Sequence, residues 1–284
     1  LEFRRVLFRS KSTMSRYMDP ALAEQLLGKG QEALGGAAVD ATILFSDVRS
    51  FTTLTEELGP QGTVQMLNEY FTEMVECISA QGGILDKFIG DAIMAVFGAP
   101  FPKGDDEDRA VKCAIAMMQE LGRLNRARAS RGSRPIKIGI GLNTDQIISG
   151  NIGSPKRMEY TVIGDGVNLA SRLEGACKQY SAQILISEFT FRRLKGFYRT
   201  REVDRVVVKG KTQPVAIHEV MDHYTEDAFP NLRDVVNDFE HGLKLYRAGN
   251  WARAIDGFGK ALQGNPADKL SAMYVERCRH FMAH

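Results

Sequence analysis

The stretch Ile84–Phe97, ILDKFIGDAIMAVF, constrains this chain more than any other. Two β-rich apolar runs, Ile84–Ile89 and Ala92–Phe97, flank Gly90-Asp91, and a Gly-Asp pair in that setting predicts a tight hairpin. The turn carries a carboxylate, Asp91, and Lys87 interrupts the first apolar strand. About forty residues upstream, Ile43–Thr52, ILFSDVRSFT, is a second apolar run that ends in Asp47 and turns into the start of a helix. If those strands are neighbours, the two carboxylates meet at their polar ends. Hard oxygen donors of that kind suit Mg²⁺, which takes one or two carboxylates plus substrate phosphates. The amides around Phe51 and Thr52 would then lie at a helix N-terminus, where phosphates are cradled.

The remaining elements follow from periodicity. Val39–Phe45 reads as the first strand. Gln61–Ala80 carries apolar residues at the i, i+3, i+4, i+7 spacing of a helix and stops at Gly82-Gly83. Asp105–Ala129 repeats that pattern with acidic residues in its first turn. Ile136–Asn143 and Ile147–Ile152 read as a strand and its partner, then Tyr160–Ile163 as a strand and Val167–Tyr180 as a helix. Gln183–Ser187, Val203–Lys209 and Val215–Met221 complete the strands. Hairpins mixed with helix-linked strands indicate an α+β fold, a sheet covered by helices.

Composition excludes several classes. The 284 residues are 44% hydrophobic and 25% charged with a formal net charge of +2, a globular balance that offers no case for nucleic-acid binding. Cys77, Cys113, Cys177 and Cys278 form no CxxC pair, which predicts reduced thiols in a cytoplasmic setting. No apolar run approaches the ~20 residues that cross a bilayer. Residues 1–10, LEFRRVLFRS, back-translate cleanly to a common sequencing-adapter oligonucleotide. They are expected to be the scar of a truncated DNA read and stand outside fold reasoning. The natural protein is expected to continue upstream, with a sensor domain lost.

FSDVRSFT, KFIGDAIMAVFG and YTVIGDGVNLASRLEG, three ordered motifs over about 130 residues, together resemble the class III nucleotidyl cyclase catalytic domain. Thr161 is similar to the soluble, bicarbonate-responsive subgroup. The resemblance implies a ferredoxin-like core over residues 39–222, preceded by a linker or transducer helix over residues 11–38 that includes Pro20–Leu27. It implies conversion of ATP to 3′,5′-cyclic AMP and pyrophosphate with two Mg²⁺ per site, Mn²⁺ being the alternative ion. By the same resemblance Asp47, Asp91 and the carbonyl of Val48 bind metal, and Phe51 and Thr52 lie against the phosphates. Lys87 reads adenine and Thr161 holds the second base-reading position. Asn168 places the ribose, Arg172 stabilises charge on the α-phosphoryl group, and Lys209 meets the terminal phosphates.

A lysine ammonium only donates, which suits a purine ring nitrogen, whereas a threonine hydroxyl both donates and accepts. The adenine assignment therefore rests mainly on Lys87, and guanine-specific relatives generally use Glu and Cys at the paired positions. In the family the metal and base-reading sets come from different subunits, which implies a homodimer with two composite sites. Asp145 departs from the family, which usually has glycine there, and puts the local turn in doubt. A non-catalytic nucleotide-binding scaffold is the alternative class, but such domains usually lose a metal Asp, the Arg or the Lys, and this chain keeps all of them.

Residues 223–284 differ in character. Gly242, Gly249, Trp251, Ala254, Phe258, Ala261 and Pro266 fall at the spacing of a tetratricopeptide (TPR) repeat, followed by a helix over Ser271–Phe281. A plain helical hairpin fits the same residues. One repeat cannot bury its own face, so it is expected to pack on the catalytic domain or on a partner.

Overall fold

The computed structural model of the chain describes residues 35–154, 156–207 and 214–283. The linker helix expected at Pro20–Leu27, and Lys209, expected to meet the terminal phosphates, lie outside the described residues. The order is β1 (Gly35–Val48), α1 (Phe51–Ala80), β2 (Ile84–Ile89), β3 (Ala92–Phe97), α2 (Asp106–Ala129), β4 (Ile138–Ser154), β5 (Arg157–Ile163), α3 (Asp165–Tyr180), β6 (Ile184–Ser187), α4 (Glu188–Phe191), β7 (Thr200–Val206) and β8 (Val215–Val220). Three tail helices follow: α5 (Leu232–Arg247), α6 (Trp251–Gly264) and α7 (Lys269–Ala283).

One sheet runs β2-β3-β1-β4-β6-β8-β7, with β5 added beside β4. Its first four strands, linked by α1 and α2, have the β-α-β-β-α-β connectivity of a ferredoxin-like unit. The hairpin β2–β3 forms with the expected bounds, and Gly90 turns it at φ 65, a conformation open to glycine at no cost. Side chains alternate across the sheet. Leu44, Val48, Ile93, Ala95, Phe97 and Ile140 pack under Tyr70 and Met74 of α1 and Ala110 and Met117 of α2. Ala41, Ile43, Met94, Val96 and Ile147 pack on the other face with Val162 and Ala170. Full burial of one such large side chain contributes about 1.5–3 kcal/mol.

Two sequence expectations are corrected. Ile136–Asn143 and Ile147–Ile152 are not partners but parts of the one strand β4, paired with β1 from Gly35↔Asn151 to Val48↔Ile138. The polar run there reads like a turn, yet the Asn143 and Thr144 side chains are buried and satisfied by distant groups. Thr144 meets Thr42 at 2.8 Å, and Asn143 accepts from Ser187 Oγ at 2.6 Å while donating to the Gly166 carbonyl at 2.9 Å. Asp145 therefore sits in mid-strand opposite Ala41, and the local turn its identity put in doubt does not exist. The helix expected from Gln61 starts ten residues earlier, at Phe51, and is interrupted at Gly59 (φ 66, ψ 177) and Pro60. All four cysteines are free and buried.

The tail docks on the sheet. Val235, Phe239, Phe258 and Tyr274 share one core with Leu169, Leu173, Cys177 and Tyr180 of α3 and with Val203 and Ile217. Helices α5 and α6 cross in backbone contact, since a Cβ on Gly257 would lie 2.9 Å from the Gly242 Cα. Across the seam Arg201 of β7 donates to Asp268 through both terminal nitrogens, at 2.9 and 3.0 Å, and through Nε to Glu219 at 2.9 Å.

Candidate active site

Strand pairing brings the two expected carboxylates together. Ser46 lies opposite Ile93, so the C-terminal end of β1 and the β2–β3 turn occupy the same edge. The Asp91 carboxyl reaches the Asp47 carboxyl and accepts the backbone N–H groups of Val48 and of Asp91 itself. Burial, followed by the adjoining Asp47 carboxyl, pushes Asp91 up to about 6. Two like charges held side by side are a binding arrangement for a divalent cation, and the donor set is of the hard-oxygen type such ions take. Among the described residues no group of three or more His, Cys, Asp or Glu side chains gathers as a metal cluster. The pair supplies the acidic part of the site.

Helix α1 starts at Phe51, three residues beyond the end of β1. Its first-turn N–H groups have no intrahelical partner and carry the positive end of the helix dipole. Phe51 and Thr52 thus stand at a helix start shortly after Asp47 in sequence.

Two residues missed by the sequence reading flank this pair. Arg49 lies over Gly139 of β4, where a Cβ would come within 1.7 Å of its Nη2, and it donates to the Glu174 carbonyl at 2.8 Å. Its Nη1 is 3.0 Å from Glu174 Oε1. Burial drives Glu174 up to about 7, with Arg49 opposing and Asp47 and Asp91 reinforcing the rise. Gly141 has the same purpose as Gly139. A Cβ there would lie 2.2 Å from the Glu174 amide nitrogen, so the glycine admits α3 onto the sheet. The available clue was position, since Arg49 stands between Asp47 and Phe51, and Glu174 lies two residues after Arg172. Beneath Asp47, the buried Tyr70 hydroxyl meets Ser46 Oγ at 3.0 Å.

A second cluster forms on β2 and β5. Lys87 Nζ is 2.7 Å from Glu159 and 3.5 Å from Asp86, and the Thr161 hydroxyl donates to Asp86 Oδ2 at 3.0 Å. Lys87 and Thr161 are therefore neighbours, joined by an Asp86 that sequence reasoning did not select. Burial pushes the Asp86 carboxyl up, while the Lys87 ammonium and the Thr161 hydroxyl oppose that rise. Asn168 and Arg172 lie exposed one turn apart on α3, and neither side chain makes a hydrogen bond or ion pair with a described residue. Among the described residues no hydrogen bond or ion pair joins Asp47 or Asp91 to Lys87, Thr161, Asn168 or Arg172. The two groups of residues are thus not directly bonded to each other within the described chain.

The family profile of the adenylate and guanylate cyclase catalytic domain matches residues 37–224. The chain belongs to that family. It is similar to the terminal-differentiation-specific adenylate cyclase of Dictyostelium discoideum, 36% identical over 277 residues, which is 94% of this chain and 13% of the relative. An adenylate cyclase of Anabaena cylindrica is 40% identical over 186 residues, 63% of this chain and 36% of that protein. The chain therefore spans well under half of these relatives. Among solved structures, the adenylyl cyclase CyaB from P. aeruginosa has a TM-score of 0.61 at 38% identity, covering 66% of this chain and 97% of that one. The guanylyl cyclase Cya2 is as similar, with a TM-score of 0.61 at 39% identity over 66% of this chain and 94% of its own. No helix among the described residues is long and apolar enough to cross a membrane.

Proposed function

We propose that this chain is an adenylate cyclase catalytic unit that converts ATP to 3′,5′-cyclic AMP and pyrophosphate in signal transduction. The observation that carries the reading is the meeting of the Asp47 and Asp91 carboxylates at one sheet edge. In the reaction the ribose 3′-oxygen bonds to the α-phosphorus, the bond to the pyrophosphate oxygen breaks, and the hydroxyl proton leaves to solvent. Asp47, Asp91 and the Val48 carbonyl would hold two Mg²⁺, with Mn²⁺ as the alternative. The chemistry those ions supply when bound is a lower hydroxyl pKa and neutralisation of the triphosphate.

The protein's own work is positioning and charge. The amides at Phe51 and Thr52 and the Lys209 side chain receive phosphate oxygens. Lys87 donates to an adenine ring nitrogen beside Thr161, Asn168 orients the ribose, and Arg172 neutralises charge building on the α-phosphoryl group. The family resemblance, with all of these residues present in one chain, supports a symmetric homodimer in which each active site takes its metal ligands from one copy and its base and ribose contacts from the other. Residues 39–222 serve as the cytoplasmic catalytic domain in this reading. The tail is a TPR-like segment spent partly on the catalytic domain, and the upstream residues lead to a sensor.

The test is cyclic-nucleotide production by the purified chain with ATP or GTP and either ion, alongside Asp47→Ala. Cyclic AMP from the parent and none from the variant is the expected result. Cyclic GMP as the main product would turn the reading toward the guanylyl cyclase that resembles this chain equally well. No product from a demonstrated dimer would sink catalysis.

A further inference from the structure

The Thr161 hydroxyl is chemically two-faced until its hydrogen is assigned, and the structure assigns it. A bulge in β2 between Leu85 and Lys87 leaves Asp86 without a partner on β3. In a regular strand, consecutive side chains point to opposite faces, whereas a bulge lets two of them serve one side. Asp86 and Lys87 accordingly both reach β5, where Glu159 and Thr161 lie two residues apart on one face. The Asp86 side chain is only 5% exposed and Thr161 8%, while Lys87 keeps 28% of its side chain open to an incoming ligand.

A hydroxyl has one hydrogen. Thr161 gives it to Asp86 Oδ2 at 3.0 Å, and a carboxylate paired with the Lys87 ammonium can only accept. The lone pairs of Thr161 are all that remain for a ligand. The cluster therefore offers an acceptor at Thr161 beside a donor at Lys87. Adenine matches that order, with an amino group that donates at position 6 and a ring nitrogen that accepts at position 1. Guanine reverses it, with an oxygen at position 6 and an N–H at position 1.

We propose that Asp86 is a specificity-determining positioning residue, which selects adenine over guanine by fixing Thr161 as a hydrogen-bond acceptor. The proposal rests on the reading that Lys87 and Thr161 face the base. Without Asp86 the hydroxyl is free to rotate and donate to the guanine oxygen, and the rejection of GTP weakens. The cost of facing a group of the wrong polarity in a desolvated site is large enough to change a substrate ratio by about 10- to 100-fold.

The experiment measures kcat/KM for ATP and for GTP with the full chain, its Asp86→Leu and Asp86→Asn variants, Thr161→Val, the double variant Asp86→Leu/Thr161→Val, and Lys87→Ala. The ratio of the two values does not depend on how much of a preparation is folded, so a merely structural role for Asp86 would leave it unmoved. Both Asp86 variants should lower the ATP-to-GTP ratio about 10-fold or more. In the Thr161→Val background, Asp86→Leu should change it less than about twofold, because Asp86 acts through the missing hydroxyl. An ATP-preferring parent whose ratio is unchanged in both Asp86 variants overturns the proposal alone, as does an undiminished effect in the double variant. A parent without ATP preference, or a Lys87→Ala variant that retains it, overturns the adenine reading and the proposal with it.

Discussion

Replacing Arg201 by Met should be among the most damaging single changes in this chain. The guanidinium is 3% exposed and lies between Glu219, 1% exposed, and Asp268, 2% exposed. Both carboxylates have a second donor, Tyr224 to Glu219 at 3.1 Å and Ser271 to Asp268 at 2.5 Å, and the guanidinium also stacks 5.2 Å from the Phe239 ring centroid. Removing the one cation leaves two buried carboxylates facing each other. Breaking a buried pair in this way costs about 3–5 kcal/mol, which for a chain of this size lowers the unfolding midpoint by about 6–15 °C. Replacing all three charges by apolar residues of similar volume should recover most of that loss, since the desolvation penalty disappears along with the attraction. Urea unfolding followed by both far-ultraviolet circular dichroism and tryptophan fluorescence tests this, because the only tryptophan, Trp251, lies on α6 of the tail. Coincident transitions are expected in the parent, given the shared core. A loss below about 1 kcal/mol in Arg201→Met, or an early fluorescence transition in the parent, would refute the reasoning.

Three further outcomes follow from the site and its supports. Arg172→Ala should lower kcat about 10²- to 10³-fold with a smaller change in KM, the signature of a contact made mainly in the transition state; an equal loss in binding alone would contradict it. Gly141→Ala forces a Cβ within 2.4 Å of the Ala170 carbonyl, so α3 must shift. A loss of about 1–3 kcal/mol in urea stability together with weaker activity is expected, and an unaffected variant would show that the close approach is unimportant. His223 is held neutral, its pKa brought from 6.5 to about 4 by burial and then by Arg199. Its contribution is intact above pH 6.5 and falls away as pH drops toward 4, by up to about 3 kcal/mol, and His223→Leu should flatten the stability profile measured over that window.

The hairpin was legible in the sequence because it rests on local chemistry, whereas the meeting of Asp47 with Asp91 followed only on the condition that β1 and β3 pair. Gly90-Asp91 sets the turn, and period-two apolar residues set the strands on either side, so Asp91 had to stand at a strand end. The strand β4 was not legible, because the groups that satisfy Asn143 and Thr144 come from Thr42, Gly166 and Ser187, which only the folded sheet brings near. The early start of α1 was hidden by Gly59-Pro60, a pair that reads as a stop but here only interrupts the helix. Asp86 escaped for a further reason. A bulge is a relation between two strands, and β2 taken alone places Asp86 on the wrong face.

The recognisable cyclase segment ends at residue 224, while the core it belongs to runs on to Cys278. Cutting the chain where the family resemblance stops would strip the cover from Leu173, Tyr180, Val203 and Ile217 and leave a wet apolar wall behind the helix that presents Asn168 and Arg172. Borrowing this catalytic unit for a chimera therefore means carrying the three tail helices along with it, or recasting that wall in polar residues.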